Sequence, residues 1–222
     1  MEIYHALNRG VDGREIFKDD RDRMRFVHDL FEFNDQAPAP HMRSPGKIGG
    51  FVNTRIRKRL VHIHGWCLMK NHYHLILSER IEGGLSLFLR KLNVGYANYF
   101  NERYSRIGTL FQGRTKKILM EHQAHFLYIL HYVHLNPLDY LSGAQKWRER
   151  SKSSIKTARG ALEYLNTYRW SSYLDYIGQT NFPSILSTSL FTDSPTRYEH
   201  ELQEYLRNTE LGNLDLSINR LE

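Results

Sequence analysis

Apolar positions along the chain change their period several times, and each change marks an element. Residues 2–8, EIYHALN, alternate: Ile3, His5 and Leu7 fall on one face of a predicted strand, Tyr4 and Ala6 on the other, and Arg9–Gly10 supplies a turn. After Asp19–Asp20, an N-cap signal, Met24, Phe26, Val27, Leu30 and Phe31 recur at helical spacing and predict a helix over roughly 20–34. Leu60–Ser78 returns to strand as two runs joined at Lys70–Asn71. Both runs carry apolar residues on each face, which predicts central positions in a sheet. Leu85, Phe88, Leu89, Leu92, Tyr96, Tyr99 and Phe100 predict a long amphipathic helix over about 85–104. A fourth strand is predicted at 114–121, RTKKILME, and then a helix at Gln123–Leu135 stopped by Pro137.

The segments between these elements are irregular. Residues 35–59 hold Pro38, Pro40, Pro45, Gly46, Gly49 and Gly50, lead into the basic run Arg55–Arg59, and read as a loop insertion, a solvated connection in preference to a dedicated nucleic-acid contact. Residues 144–163 are charged and serine-rich, and read as a second insertion or an exposed helix. Tyr168–Tyr173, YRWSSY, is an aromatic knot suited to docking the tail, and Tyr198–Arg207 is helical in pattern. The division that follows is one domain over 1–177, with insertions near 35–59 and 144–163, and a C-terminal helical appendage over 178–222.

Composition narrows the class. Forty-one per cent apolar residues can bury one core. Lys and Arg exceed Asp and Glu by 31 to 24, a net charge of +7 that suits a polyanionic partner. The single cysteine, Cys67, excludes an internal disulfide framework and any multi-cysteine zinc site, and a cytoplasmic setting follows as the default. No run is long and apolar enough for a spanning helix, no signal-peptide core is found at the start, and no GxxxxGK phosphate loop is present. The expectation is no membrane and no nucleotide cofactor.

Candidate chemistry centres on His72 and His74. In a strand a His-x-His spacing puts two imidazoles on one surface, where they can serve one metal ion or simply sit half-buried. His62 and His64 in the preceding strand compete for that role. A two-residue turn at Lys70–Asn71 places Met69 opposite His72 and Cys67 opposite His74, and sends His62 and His64 to the other face. On the later helix, Tyr128, Tyr132 and Asn136 are spaced to share a face. The loop Ser105–Arg114 combines glycines with Phe111 and Arg114, a composition that can stack a base and hold a phosphate.

In order, the blocks YHALNRGVDGREIF with DDRDRMRF, CLMKNHYHLIL, GTLFQGRTKKILME, HYVHLNPL and YRWSSY cover about residues 4–176. Together they resemble the single-tyrosine HUH transposases, most closely the REP-associated tyrosine transposases. The resemblance implies an α+β fold, a ferredoxin-like antiparallel sheet with helices packed on it, and cleavage and rejoining of single-stranded DNA at hairpins through a 5′-phosphotyrosine intermediate. It implies Tyr132 as nucleophile, His72, His74 and Asn136 as ligands of Mg²⁺ or Mn²⁺, and DNA contacts among Arg9, Arg14, Phe111 and Arg114. Both a monomer and a homodimer are compatible with it. Relatives commonly carry proline where this chain has Lys70, and both insertions look longer than usual. A catalytically inactive hairpin-binding regulator of the same fold is the main rival, and a histidine-metal hydrolase using activated water is another; neither would need Tyr132.

Overall fold

The computed structural model describes residues 1–38, 57–121, 123–144, 147–149, 158–192 and 194–207. Most of the 35–59 insertion and the middle of the 144–163 segment therefore lie outside the described residues. The first half of the chain runs β1 (Ile3–Arg9), α1 (Asp20–Glu32), β2 (Val61–Leu68), β3 (His72–Glu79), α2 (Gly84–Arg103) and β4 (Lys116–Leu119). The strands pair antiparallel in the order β2-β3-β1-β4, which with two intervening helices is the ferredoxin-like βαββαβ arrangement of an α+β fold. α1 begins where expected because the Asp19 carboxylate accepts the Asp22 amide at 3.0 Å, filling an orphan position of the first turn. No helix among the described residues is long and apolar enough to cross a membrane.

The two faces of the sheet bury different clusters. α1 and α2 cover one face, where Phe26, Leu30, Phe88, Leu92 and Tyr96 pack with Ala6, Trp66, Tyr73, Leu75 and Leu77. α3 (Gln123–Leu135) covers the other, with Ile129, Tyr132 and Val133 in one cluster with Ile3, Cys67 and Ile76. Gly65 sets how closely α3 lies: a Cβ there would be 3.0 Å from Leu130 Cδ1 and 3.1 Å from Ile76 Cδ1. Beyond α3 come α4 (Ala158–Leu165), α5 (Tyr173–Tyr176) and α6 (Pro195–Arg207).

Three sequence expectations change here. β2 is not central but lies at the edge of the sheet. Its two faces are buried in the two clusters, and YRWSSY runs along its open side and closes the backbone edge there: Leu68 N donates to Trp170 O, Ser172 N donates to Trp66 O, each at 2.9 Å, and Ser171 bridges Cys67. The described part of 144–163 is not an exposed helix, since Ala144, Trp147, Ala161 and Leu162 are buried in the α3-side cluster. α6 likewise joins that cluster through Tyr198 and Leu202. The third change is in histidine parity. Cys67 faces His74 and the Met69 amide donates to His72 O, as a two-residue turn requires. A bulge between Ile63 and Gly65 then shifts the register, so His62 pairs with Ser78 and His64 Nε2 meets Ser78 Oγ at 2.7 Å. Ser78 shares the face of His72, His74 and Ile76, so the bulge returns His62 and His64 to the face from which simple alternation excludes them.

The β1 exit is tightly built around Gly10. Its amide donates to Asn71 O at 2.8 Å, and a Cβ at this position would lie 2.3 Å from the Arg14 carbonyl oxygen, a backbone atom. Gly10→Ala is therefore expected to destabilise the protein by about 2 kcal/mol or more, read as a lower urea midpoint. An unchanged midpoint would show that the 10–14 turn relaxes freely.

Candidate active site under helix α3

β3 and α3 bring His74 and Tyr132 together. The Tyr132 ring stands edge-on to His74, with centroids 5.7 Å apart at 88°, and His72 lies perpendicular to His74 at 4.9 Å. The hairpin turn that carries the histidines is held from both sides. Ile16 N and Phe17 N donate to Lys70 O at 2.9 and 3.0 Å, and Lys70 N donates to Tyr140 OH at 2.8 Å. The last bond needs a backbone N–H, which proline at this position would lack.

Sequence reasoning missed one member of the cluster, His5. It sits on β1 opposite Ile76 and diagonal to His74; its Nε2 is 2.9 Å from His74 Nδ1, and its ring faces the Tyr132 edge at 6.0 Å. Alternation in β1 puts His5 on one face with Ile3 and Leu7, but only the strand register reveals that this is the His74 face. His72 is oriented by its own neighbour: Asn71 Nδ2 donates to Gly13 O at 3.2 Å, which turns Asn71 Oδ1 toward His72 Nδ1 at 2.7 Å. His72 Nδ1 must then be the donor, and the lone pair stays on Nε2.

The metal ligand set expected from the sequence resemblance fits in part. His72 Nε2 carries a lone pair, and His74 Nε2 is buried without a hydrogen-bond partner among the described residues, as suits two imidazole ligands. Asn136 does not offer its oxygen in this conformation. Its Nδ2 donates to Tyr132 O at 2.8 Å and its Oδ1 accepts from Arg148 at 2.7 Å. Among the described residues, no three His, Cys, Asp or Glu side chains converge as a metal site.

Tyr132 is 1% exposed. Trp147 packs at 5.7 Å from its ring and the Arg148 guanidinium lies at 5.8 Å, itself bonded to Asp139. Of the expected DNA contacts, Arg9 pairs with His72 across β1 and β3, and Arg114 is exposed. Arg14 lies at the surface, its Nε donating to Val11 O at 3.0 Å beside Asp12. Phe111 corrects its expectation: at 8% exposure it packs on Tyr73 and Tyr96 in the core and presents no face for stacking a base.

Burial dominates the electrostatics. It holds the His5 imidazole down to about 3, with His72 adding to the effect, and pushes His74 well below the usual histidine range. His134, on α3, is driven down by burial and then by His131; its ring bridges Tyr198 OH at 2.5 Å and Ser172 Oγ at 2.7 Å. All three have folded values below the ordinary 6.5, so the unfolded chain takes up protons first as pH falls. Stability is complete above about 6.5 and declines from there toward the folded values. Lowering pH from 7.5 to 5 should cost about 2 kcal/mol per imidazole, measured by urea unfolding at both pH values. A flat response would mean that these histidines are not neutral and buried together.

No family model matches the chain, and no curated protein matches it. Among solved structures, it is similar to one described as a REP-associated tyrosine transposase bound to a REP hairpin, at 11% identity over 82% of each chain with a TM-score of 0.47.

Proposed function

We propose that this protein is a metal-dependent single-stranded DNA transposase or nuclease of the single-tyrosine HUH type, acting at hairpin-forming sequences. The observation that carries the reading is the meeting of Tyr132 with the His72–His74 pair on one buried face. In this reaction the Tyr132 phenol oxygen attacks a backbone phosphorus and loses its proton. The bond from phosphorus to the 3′ oxygen breaks, and that oxygen leaves as a hydroxyl, with the 5′ phosphate kept on the tyrosine. The new linkage is again a phosphodiester, so another strand's 3′-hydroxyl can reverse the step and rejoin DNA without ATP.

A divalent cation, Mg²⁺ or Mn²⁺, held by the Nε2 atoms of His72 and His74 would relieve the charge on a phosphate oxygen that repels the nucleophile. The remaining work falls to the chain. Arg9 stands beside His72, while Arg14 and Arg114 at the surface can bind backbone phosphates without reading sequence. His5, with a pKa of about 3, is a poor base for a phenol whose ordinary value is about 10. For DNA to reach Tyr132 the Trp147–Arg148 cover must move, and Arg148 must release Asn136 before that amide can become a third ligand.

The same cover favours a second reading, an inactive hairpin-binding regulator whose tyrosine stays enclosed. One gel separates the two. Incubation with single-stranded hairpin DNA and Mn²⁺, followed by denaturation, should give a covalent adduct that EDTA prevents and that the His72→Ala, His74→Ala double variant does not form. Hairpin binding with no adduct across a broad oligonucleotide set would establish the regulator, and cutting with no adduct would indicate a hydrolase.

A further inference from the structure

We propose that His5 is a positioning residue: its Nε2 accepts the Nδ1 proton of His74 and so keeps the His74 Nε2 lone pair available to a divalent cation. This rests on the reading of His72 and His74 as a cation-binding pair. The bond between the rings is 2.9 Å long, so a single proton lies between two nitrogens, and its owner decides what the far side of His74 can do. With the proton on His74 Nδ1, Nε2 is a donor of electrons and a cation can bind. With the proton on His5 Nε2, His74 Nε2 carries a hydrogen and the site is blocked.

The geometry is built for this contact. Both residues are fully buried, which leaves no water to replace the bond, and ring centroids 5.1 Å apart across a 2.9 Å N···N contact put the two nitrogens nearly in line between the rings, as an in-plane N–H···N bond requires. His74 Nε2 and His5 Nδ1 are both buried and have no partner among the described residues, so no other hydrogen bond opposes the required tautomer. Asn71 performs the same task for His72, accepting its Nδ1 proton through an amide fixed by Gly13 O. Each histidine of the pair thus has one outer acceptor, one from the hairpin turn and one from the neighbouring strand. Outer acceptors of this kind fix the tautomer and orientation of a ligating histidine, and their loss costs roughly 10- to 100-fold in metal affinity.

The test titrates Zn²⁺, a diamagnetic probe, into the full chain by calorimetry. The His72→Ala, His74→Ala variant serves to assign the heat to this site. His5→Leu, which keeps the bulk but cannot accept, should weaken binding about 10- to 100-fold while the metal-free variant still unfolds cooperatively, at a melting temperature lowered by the unpaired His74 nitrogen, and His5→Gln, whose amide oxygen can accept, should recover most of the affinity. Long-range ¹H–¹⁵N spectra of the Zn²⁺-loaded wild type should show His74 protonated at Nδ1, an observation that does not depend on any variant folding. Wild-type affinity in His5→Leu, or a loaded His74 ring without a proton on Nδ1, overturns the assignment of His5 alone. A wild type that takes up no Zn²⁺ through His72 and His74 removes the cation reading and this inference with it.

Discussion

Tyr132→Phe is expected to reduce covalent adduct formation with hairpin DNA by about 10⁴-fold or more, because the attacking oxygen is gone from the phenol that meets the His74 ring. The ring remains, and with it the edge contacts to His74 and His5 and the packing under Trp147. The variant should therefore fold and still bind hairpin DNA, so loss of the adduct reports chemistry and not collapse. The assay is the denaturing gel described above, run as a time course with Mn²⁺. Persistence of the adduct within tenfold of wild type would move the nucleophile elsewhere. Tyr128, one turn earlier with its ring 6.0 Å away, would be the first residue to examine.

Asp22→Ala is expected to lower stability by about 3 kcal/mol, a large part of the total for a domain of this kind. The Asp22 carboxylate is fully buried and serves several donors at once: Lys18 N at 2.9 Å, Tyr104 OH at 2.8 Å, Tyr99 OH at 3.2 Å, and the Arg103 guanidinium. Removing it strands two phenols and a backbone amide between α1 and the end of α2. Arg103 keeps a partner in Asp19, which it reaches through both terminal nitrogens at 2.6 and 2.8 Å, and this limits the damage. Urea unfolding at pH 7 measures the effect. A loss below about 1 kcal/mol would mean that water reaches the stranded groups and satisfies them.

Much of the fold was legible because it follows local rules. Strand alternation, the Asp19 cap, the Lys70–Asn71 turn and the helical period through Tyr132 are each set by residues close in sequence, and the elements appear where those patterns place them. What escaped depends on contacts between distant segments. β2 was expected to be central because a strand buried on both faces reads alike whether its edge is closed by another strand or by residues 168–172. Phe111 stands as a base-stacking candidate in the sequence because its loop composition suits one, yet the loop bridges to Gly10 and the ring packs on Tyr73 and Tyr96 in the core. The parity of His62 and His64 failed at the single extra residue of a bulge. The pairing of Tyr132 with the histidines followed from family likeness and not from periodicity. His5 went unselected because a lone histidine on an alternating strand has nothing to distinguish it until the register of a neighbouring strand is known.

The closing of β2 by residues from the far end of the chain has a consequence for shorter forms of this protein. A chain cut before Tyr168 would keep every residue proposed for cleavage and yet leave the Trp66–Leu68 backbone as a naked strand edge beside apolar side chains. Such an edge templates pairing between molecules. The aromatic segment after α4 holds none of the residues proposed for cleavage, and closing this edge removes a template for self-association.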